Sequence, residues 1–131
     1  VMIPDRRGNN RIDTLRNIVR DPRVSLLFLI PGIGETLRIN GRAEISVDPH
    51  LCATFDMHGK TPRSVIIITA ERVYFQCQKA LTRSHLWDPD AQIEPKELPT
   101  AGAILQALNQ DEFDGETYDQ NYPERVKKTI Y

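Results

Sequence analysis

Apolar positions along the chain fall into two rhythms, and the switches between them mark the elements. Residues 1–4, VMIP, read as the end of a strand. The turn DRRGNN follows, with Gly8 and two asparagines able to take left-handed backbone angles. From about Arg11 to Arg20, Ile12, Leu15, Ile18 and Val19 recur at helical spacing on one face. Asn10 is placed to cap that helix, Asp13 suits its first turn, and Asp21-Pro22 stops it. RVSLLFLIP then reads as a buried strand and GIGE as its turn.

TLRINGRAEISV alternates strictly. Leu37, Ile39, Gly41, Ala43, Ile45 and Val47 face one way; Arg38, Asn40, Arg42 and Glu44 face the other. Glycine in mid-strand predicts a bulge or a close approach at Gly41. DPHLCATFDMHGK reads as a short helix with a glycine stop. SVIIITAERVYFQCQ reads as a long strand with a bulge or bend at Ala70-Glu71. KALTRSHLW gives a helical turn or two, DPDAQIEPKELP a proline-rich loop, and TAGAILQALN a helix capped by Thr100. The 110–131 segment is acidic, with a final helix expected near Tyr122 to Tyr131. The close hairpin and the short helices between strands favour a mainly β fold, an antiparallel barrel with flanking helices. A doubly wound parallel sheet needs a crossover between most strands, which the hairpin does not supply.

The length of 131 residues suits one domain, residues 1–131. No apolar run approaches a membrane span, no signal-peptide pattern opens the chain, and Cys52 and Cys77 form no CxxC. Two free thiols in a cytoplasmic protein are the expectation, with Cys77 buried at a strand end. Net charge is −1 but unevenly spread. Residues 1–42 hold eight arginines, no lysine, and only Asp5, Asp13, Asp21 and Glu35 against them. The acids concentrate after Asp88. Arginine suits forked contacts to phosphate or carboxylate. The acidic second half argues against a nucleic-acid module.

Two clusters could carry chemistry. A strand running through a Gly/Asn turn into a helix leaves backbone N–H groups pointing outward, and Arg6, Arg7 and Arg11 add forks to them. That suits a phosphomonoester, although a solvated polar loop has the same composition; neither GxxxxGK[ST] nor GxGxxG is present. In QKALTRSHLW, Lys79 and Arg83 share a helical face near Ser84 and Trp87, which would suit an anion joined to a flat ring, or an ordinary amphipathic helix. His50, Cys52, Asp56 and His58 match no tight zinc spacing, so no metal is expected. No serine has a nucleophile-elbow context. If the protein is an enzyme, a cofactor supplies the hard chemistry.

IPDRRGNNRIDTLRNIVRDPRVSLLFLIPGIGETLRINGRAEI resembles the pyridoxamine 5'-phosphate oxidase-like FMN-binding split-barrel family. VYFQCQKALTRSHLWDP resembles the branch carrying PDRRGNNR and CxKAxxRSxLW. The resemblance spans about Val1 to Pro89. It implies a six-stranded split barrel, a homodimer, and FMN at the dimer interface. It implies that Arg6, Arg7, Asn9, Asn10 and Arg11 hold the flavin phosphate, that Thr36 lies near the isoalloxazine edge, and that Lys79, Arg83 and Ser84 come from the partner subunit. The family's basic strand ahead of this region would lie upstream of Val1, so an N-terminally incomplete barrel is expected. The family's partner tryptophan falls near Phe75 or Gln76. The function implied is that of an FMN-dependent oxidoreductase acting on a small molecule, without nucleic acid or membrane; the alternative is a non-catalytic flavin-binding or stress-response protein.

Overall fold

The long alternating segment forms the central strand of the sheet, and its polar and apolar sides sort as the pattern predicts. The computed structural model describes residues 1–8, 11–110 and 112–130. These group into two compact units, 1–88 and 89–130. The first contains strands β1 (Met2–Asp5), β2 (Arg23–Phe28), β3 (Thr36–Ser46) and β4 (Ser64–Gln76). They form one sheet in the order β1-β4-β3-β2, antiparallel throughout. Helices α1 (Asp13–Arg20), α2 (Pro49–Ala53) and α3 (Lys79–Ser84) flank it. This is a four-stranded antiparallel half-barrel, consistent with part of a split barrel.

Residues directly opposite each other share a face of the sheet. On one face the rows run Val24–Gly41–Ala70, Leu26–Ile39–Val73 and Phe28–Leu37–Phe75. On the other they run Arg23–Arg42–Thr69, Ser25–Asn40–Arg72 and Leu27–Arg38–Tyr74. Ala43 and Ile68, on the apolar face, form the core with Ile18 of α1, and Val24, Leu26, Ile45 and Ile66 pack against them. The opposite half of that face is open: Phe28, Leu37, Val73 and Phe75 are all exposed.

Pairing shifts by one residue between Asn40 and Gly41: Asn40 faces Arg72, whereas Gly41 faces Ala70. Glu71 is the extra residue of a bulge. A Cβ at Gly41 would run into the carbonyl oxygen of Thr69 and lie 3.2 Å from the Ala70 Cα. The mid-strand glycine and the expected irregularity at Ala70-Glu71 are thus two sides of one feature.

Helix α1 starts at Asp13, two residues later than the periodicity suggests. Ile12 takes the N-cap position without a side-chain cap bond. Asn10, the expected cap, lies outside the described residues, as does Asn9. Of the four apolar positions only Ile18 is buried; Ile12 and Val19 are exposed, because one turn of contact with the sheet covers a narrower stripe than the pattern offers. Between α1 and β2, Asp21 accepts hydrogen bonds from the Arg23 guanidinium and, at 3.1 Å, from the Arg23 backbone N–H. The Arg23 side chain first, and its N–H second, lower the Asp21 carboxyl to about 2. A lowered carboxylate stabilises the fold fully above its ordinary value and loses that contribution as pH falls through its folded value. We therefore expect NMR titration to find the Asp21 midpoint near 2, with the turn losing its support only below about pH 4. An Asp21 midpoint near the ordinary carboxylate value would remove the ion pair from the account.

Helix α2 ends at Ala53, well before the glycine expected to stop it. Gly59 instead makes a tight turn with His58: both have positive φ (74° and 55°), and Met57 pairs with Lys60.

In the second unit the proline-rich segment forms two 3-10 turns, Pro89–Ala91 and Pro95–Glu97. Helix α4 (Ala101–Leu108) is capped as expected, the Ala103 N–H donating to Thr100 Oγ1 at 3.1 Å. Helix α5 (Gly115–Thr129) starts seven residues before the final helix anticipated from Tyr122, since Asp114 caps it through the Thr117 N–H at 2.9 Å. The two helices meet at glycines. A Cβ on Gly115 would lie 2.5 Å from the Gly102 carbonyl oxygen, and the Gly102 N–H donates to Asp119 Oδ1 at 2.9 Å.

Candidate functional site

The candidate residues fall into two groups at opposite ends of the sheet. The first follows β1, whose last residue, Asp5, pairs with Ser64 at the start of β4. Ser64 is buried and its hydroxyl donates to Asp5 Oδ2 at 3.2 Å, which fixes where the chain leaves the sheet. The next residue, Arg6, is half-buried. Its guanidinium donates to the carbonyl oxygens of Phe55, at 2.6 Å, and Lys60, at 3.4 Å. Arg6 therefore ties the turn to the α2–β4 connection. Arg7 and Arg11 are exposed. Asn9 and Asn10, between them, are not described.

The second group lies where β4 ends. Thr36 opens β3 and pairs with Gln76, the last residue of β4. Lys79 and Arg83 follow on α3, both exposed, four apart on one helix as the spacing predicts. The Ser84 hydroxyl donates to the Leu81 carbonyl at 3.1 Å, so that bond holds the helix end. His85 closes α3 in the left-handed conformation and lies 3.4 Å from Asp88.

Two contacts fix α3 against the 29–35 hairpin loop. Trp87 Nε1 donates to the Ile33 carbonyl at 2.8 Å, and a Cβ on Gly34 would lie 2.6 Å from the Gln78 Cβ. Trp87 is thus a structural anchor. Sequence reading missed this contact because nothing in the local pattern links positions 33 and 87. Cys77, expected to be buried, is exposed, because β4 rises out of the covered half of the sheet before it ends; Cys52 is the buried thiol. Phe75, near the position where the resemblance places a tryptophan, is 77% exposed, while Gln76 accepts a hydrogen bond from Arg38 Nε.

The strand positions to which the two groups are attached, Asp5–Ser64 and Thr36–Gln76, lie at the two ends of the thirteen-residue β4, a contour length of roughly 40 Å at strand rise. Among the described residues no group of three or more His, Cys, Asp or Glu side chains could hold a metal ion, and no helix is long and apolar enough to cross a membrane.

A search of curated proteins found no match, and neither did a search of solved structures. A protein-family model described as pyridoxamine 5'-phosphate oxidase matches residues 1–77. The match takes in β1 through β4 and stops before α3, so it includes the arginine turn and Thr36 but not Lys79, Arg83 or Ser84. Since it covers more than half of the chain and the whole of the antiparallel sheet, the protein belongs to the pyridoxamine 5'-phosphate oxidase-like family.

Proposed function

We propose that the protein is an FMN-binding oxidoreductase whose flavin lies between two copies of the chain. The observation that carries this reading is the separation of the two candidate groups. An anion cradle with Arg7 and Arg11 at one end of β4, and Thr36, Lys79 and Arg83 at the other, cannot serve one small molecule from a single chain. A two-fold axis that brings the start of β4 in one copy near the end of β4 in the other completes the site twice. The open apolar rows at Phe28, Leu37, Val73 and Phe75 support burial against a second copy, because apolar patches of this kind are otherwise costly in water.

The donor chemistry fits FMN in that arrangement. Arg7 and Arg11 match the flavin 5'-phosphate through charge-assisted, forked hydrogen bonds. Arg6 braces the turn through Phe55 and Lys60, and Asn9 and Asn10 belong to the same proposed cradle. Thr36 lies beside the ring, with Lys79 facing the flavin and Arg83 the substrate. Ser84 supports them by holding the end of α3. When bound, FMN supplies the hydride or electron transfer; the residues above bind and orient it and the substrate.

Titration with FMN, followed by the change in flavin fluorescence, tests the reading. Arg7→Ala or Arg11→Ala should each weaken binding by roughly 1.5–3 kcal/mol, the scale of a charge-assisted hydrogen bond. Wild-type affinity in both variants would remove the phosphate assignment. Failure of the wild-type protein to take up FMN in excess would remove the cofactor. Tight FMN binding without turnover by any common electron donor would favour the alternative of a non-catalytic flavin-binding or stress-response protein.

A further inference from the structure

The polar face of the sheet holds a cationic cluster that the flavin reading does not use. Arg38 and Arg42 flank Asn40 on β3, about 13 Å apart along the strand. Arg72 stands directly opposite Asn40 on β4. On the other side of Asn40, the Ser25 hydroxyl donates to Asn40 Oδ1 at 2.8 Å. That bond occupies the amide oxygen and leaves the amide nitrogen without a partner among the described residues. Arg42 and Arg72 are exposed, and neither has an ion pair among the described residues. Arg38 donates through Nε to Gln76, which steadies its guanidinium. Arg23, opposite Arg42, is already matched by Asp21.

The bulge creates this cluster. Beyond Glu71 the alternation of β4 changes phase, so Arg72 and Tyr74 stand with Asn40 and Arg38 instead of on the apolar face. Like charges close together on one sheet face destabilise it, and ordinary solvated faces intersperse both signs. The nearby carboxylates are Glu44, two residues beyond Arg42, Glu71, which adjoins Arg72 at the bulge, and Asp21, which feels the charge of Arg42; among the described residues none of them forms an ion pair with these three arginines.

We propose that this face binds a short phosphate chain, a di- or triphosphate, over Asn40 with Arg38, Arg42 and Arg72 around it. Arginine forks suit phosphate oxygens, and the Asn40 amide adds a neutral donor at the centre. A net charge of −1 gives no wide basic field for nucleic acid, whereas three arginines gathered around one amide suit a short chain of linked phosphates. Tyr74, directly opposite Arg38 and 38% exposed, offers a ring on which a nucleobase could stack.

Calorimetric titration with inorganic tripolyphosphate at physiological salt, with and without excess FMN, tests the site. The expected result is one tripolyphosphate per chain whether or not FMN is present, and affinity about ten- to a hundredfold lower in Arg42→Ala/Arg72→Ala. Arg42→Lys/Arg72→Lys, which keeps the charge and removes the forks, should fall between the two. Arg7→Ala should bind tripolyphosphate as the wild type does, which separates this site from the flavin cradle. Adenosine triphosphate binding more tightly, with the gain lost in Tyr74→Ala, would identify a nucleotide as the source of the chain. Equal affinity would identify the phosphate chain alone. Absence of tripolyphosphate binding, or binding unchanged in the folded double alanine variant, would overturn the proposal. So would tighter binding of a single-stranded oligonucleotide.

Discussion

Gly41→Val should destabilise the first unit by roughly 3 kcal/mol, the scale of backbone overpacking in a well-filled site. The added Cβ would meet the carbonyl oxygen of Thr69, with the Thr69 carbonyl carbon at 3.0 Å and the Ala70 Cα at 3.2 Å. These are backbone atoms of the paired strand, so no rotamer change relieves the clash. Either β4 moves off β3 at the bulge, or the ladder on both sides loosens. Gly41→Ala meets the same oxygen and should also lose stability. The entropy it removes from the unfolded chain is worth less than about 1 kcal/mol, so the clash should win. Urea unfolding followed by circular dichroism measures both variants. Unchanged midpoints would mean that the bulge yields without cost, and the close approach would then not explain the glycine. Binding at both proposed sites should weaken as well, since β3 carries Thr36, Arg38 and Arg42 and β4 leads into α3.

The second large effect concerns the site proposed to be shared between two copies. A chain with Arg7→Ala keeps α3 and loses part of the cradle. A chain with Lys79→Ala/Arg83→Ala keeps the cradle and loses the cations of α3. Each variant alone should bind FMN roughly ten- to a hundredfold more weakly. Co-expressed and randomly assorted, they should recover native affinity at about a quarter of all sites, because half of the dimers are mixed and each mixed dimer restores one site of two. Recovery of a high-affinity phase in a flavin titration is the readout. If one chain held the whole site, the mixture would bind as the average of its weak parents. That result would refute the shared site even if FMN binding itself were confirmed. The same experiment leaves the arginine face untouched, so the tripolyphosphate result is independent of it.

Much of the sheet was legible in the chain because strand alternation is a local property. The polar and apolar sides of β3 could be read from residues 36–46 alone, and the glycine in that run announced the bulge. Capping residues next to an apolar run likewise located the start of α4 at Thr100. Helix ends were less legible where caps were weak or displaced. Helix α1 begins at Ile12 without a side-chain cap, held to the sheet through buried Ile18, whereas α5 begins where the Asp114 carboxylate accepts the Thr117 N–H, upstream of the apolar pattern that pointed to Tyr122.

The candidate site divides along the same line. Arginines in a turn after a strand, and a Lys/Arg pair four apart, are patterns within a few residues of one another. The order and spacing of the two motifs therefore carried the family resemblance; the match over residues 1–77 supports the family through the first motif and stops before the second. Their separation by the length of β4 was not legible, since it depends on which strands pair and in which register. The Arg6 contacts to Phe55 and Lys60, the Trp87 contact to Ile33 and the exposure of Cys77 arise from the same long-range pairing. By itself the sequence determined the alternation of the central strand and the irregularity at its glycine, because each follows from backbone geometry over a few neighbours. Only the tertiary structure decided that Arg72 joins Arg38 and Arg42 on one face and that the two candidate groups sit at opposite ends of β4, because a one-residue shift between paired strands reassigns every side chain beyond it.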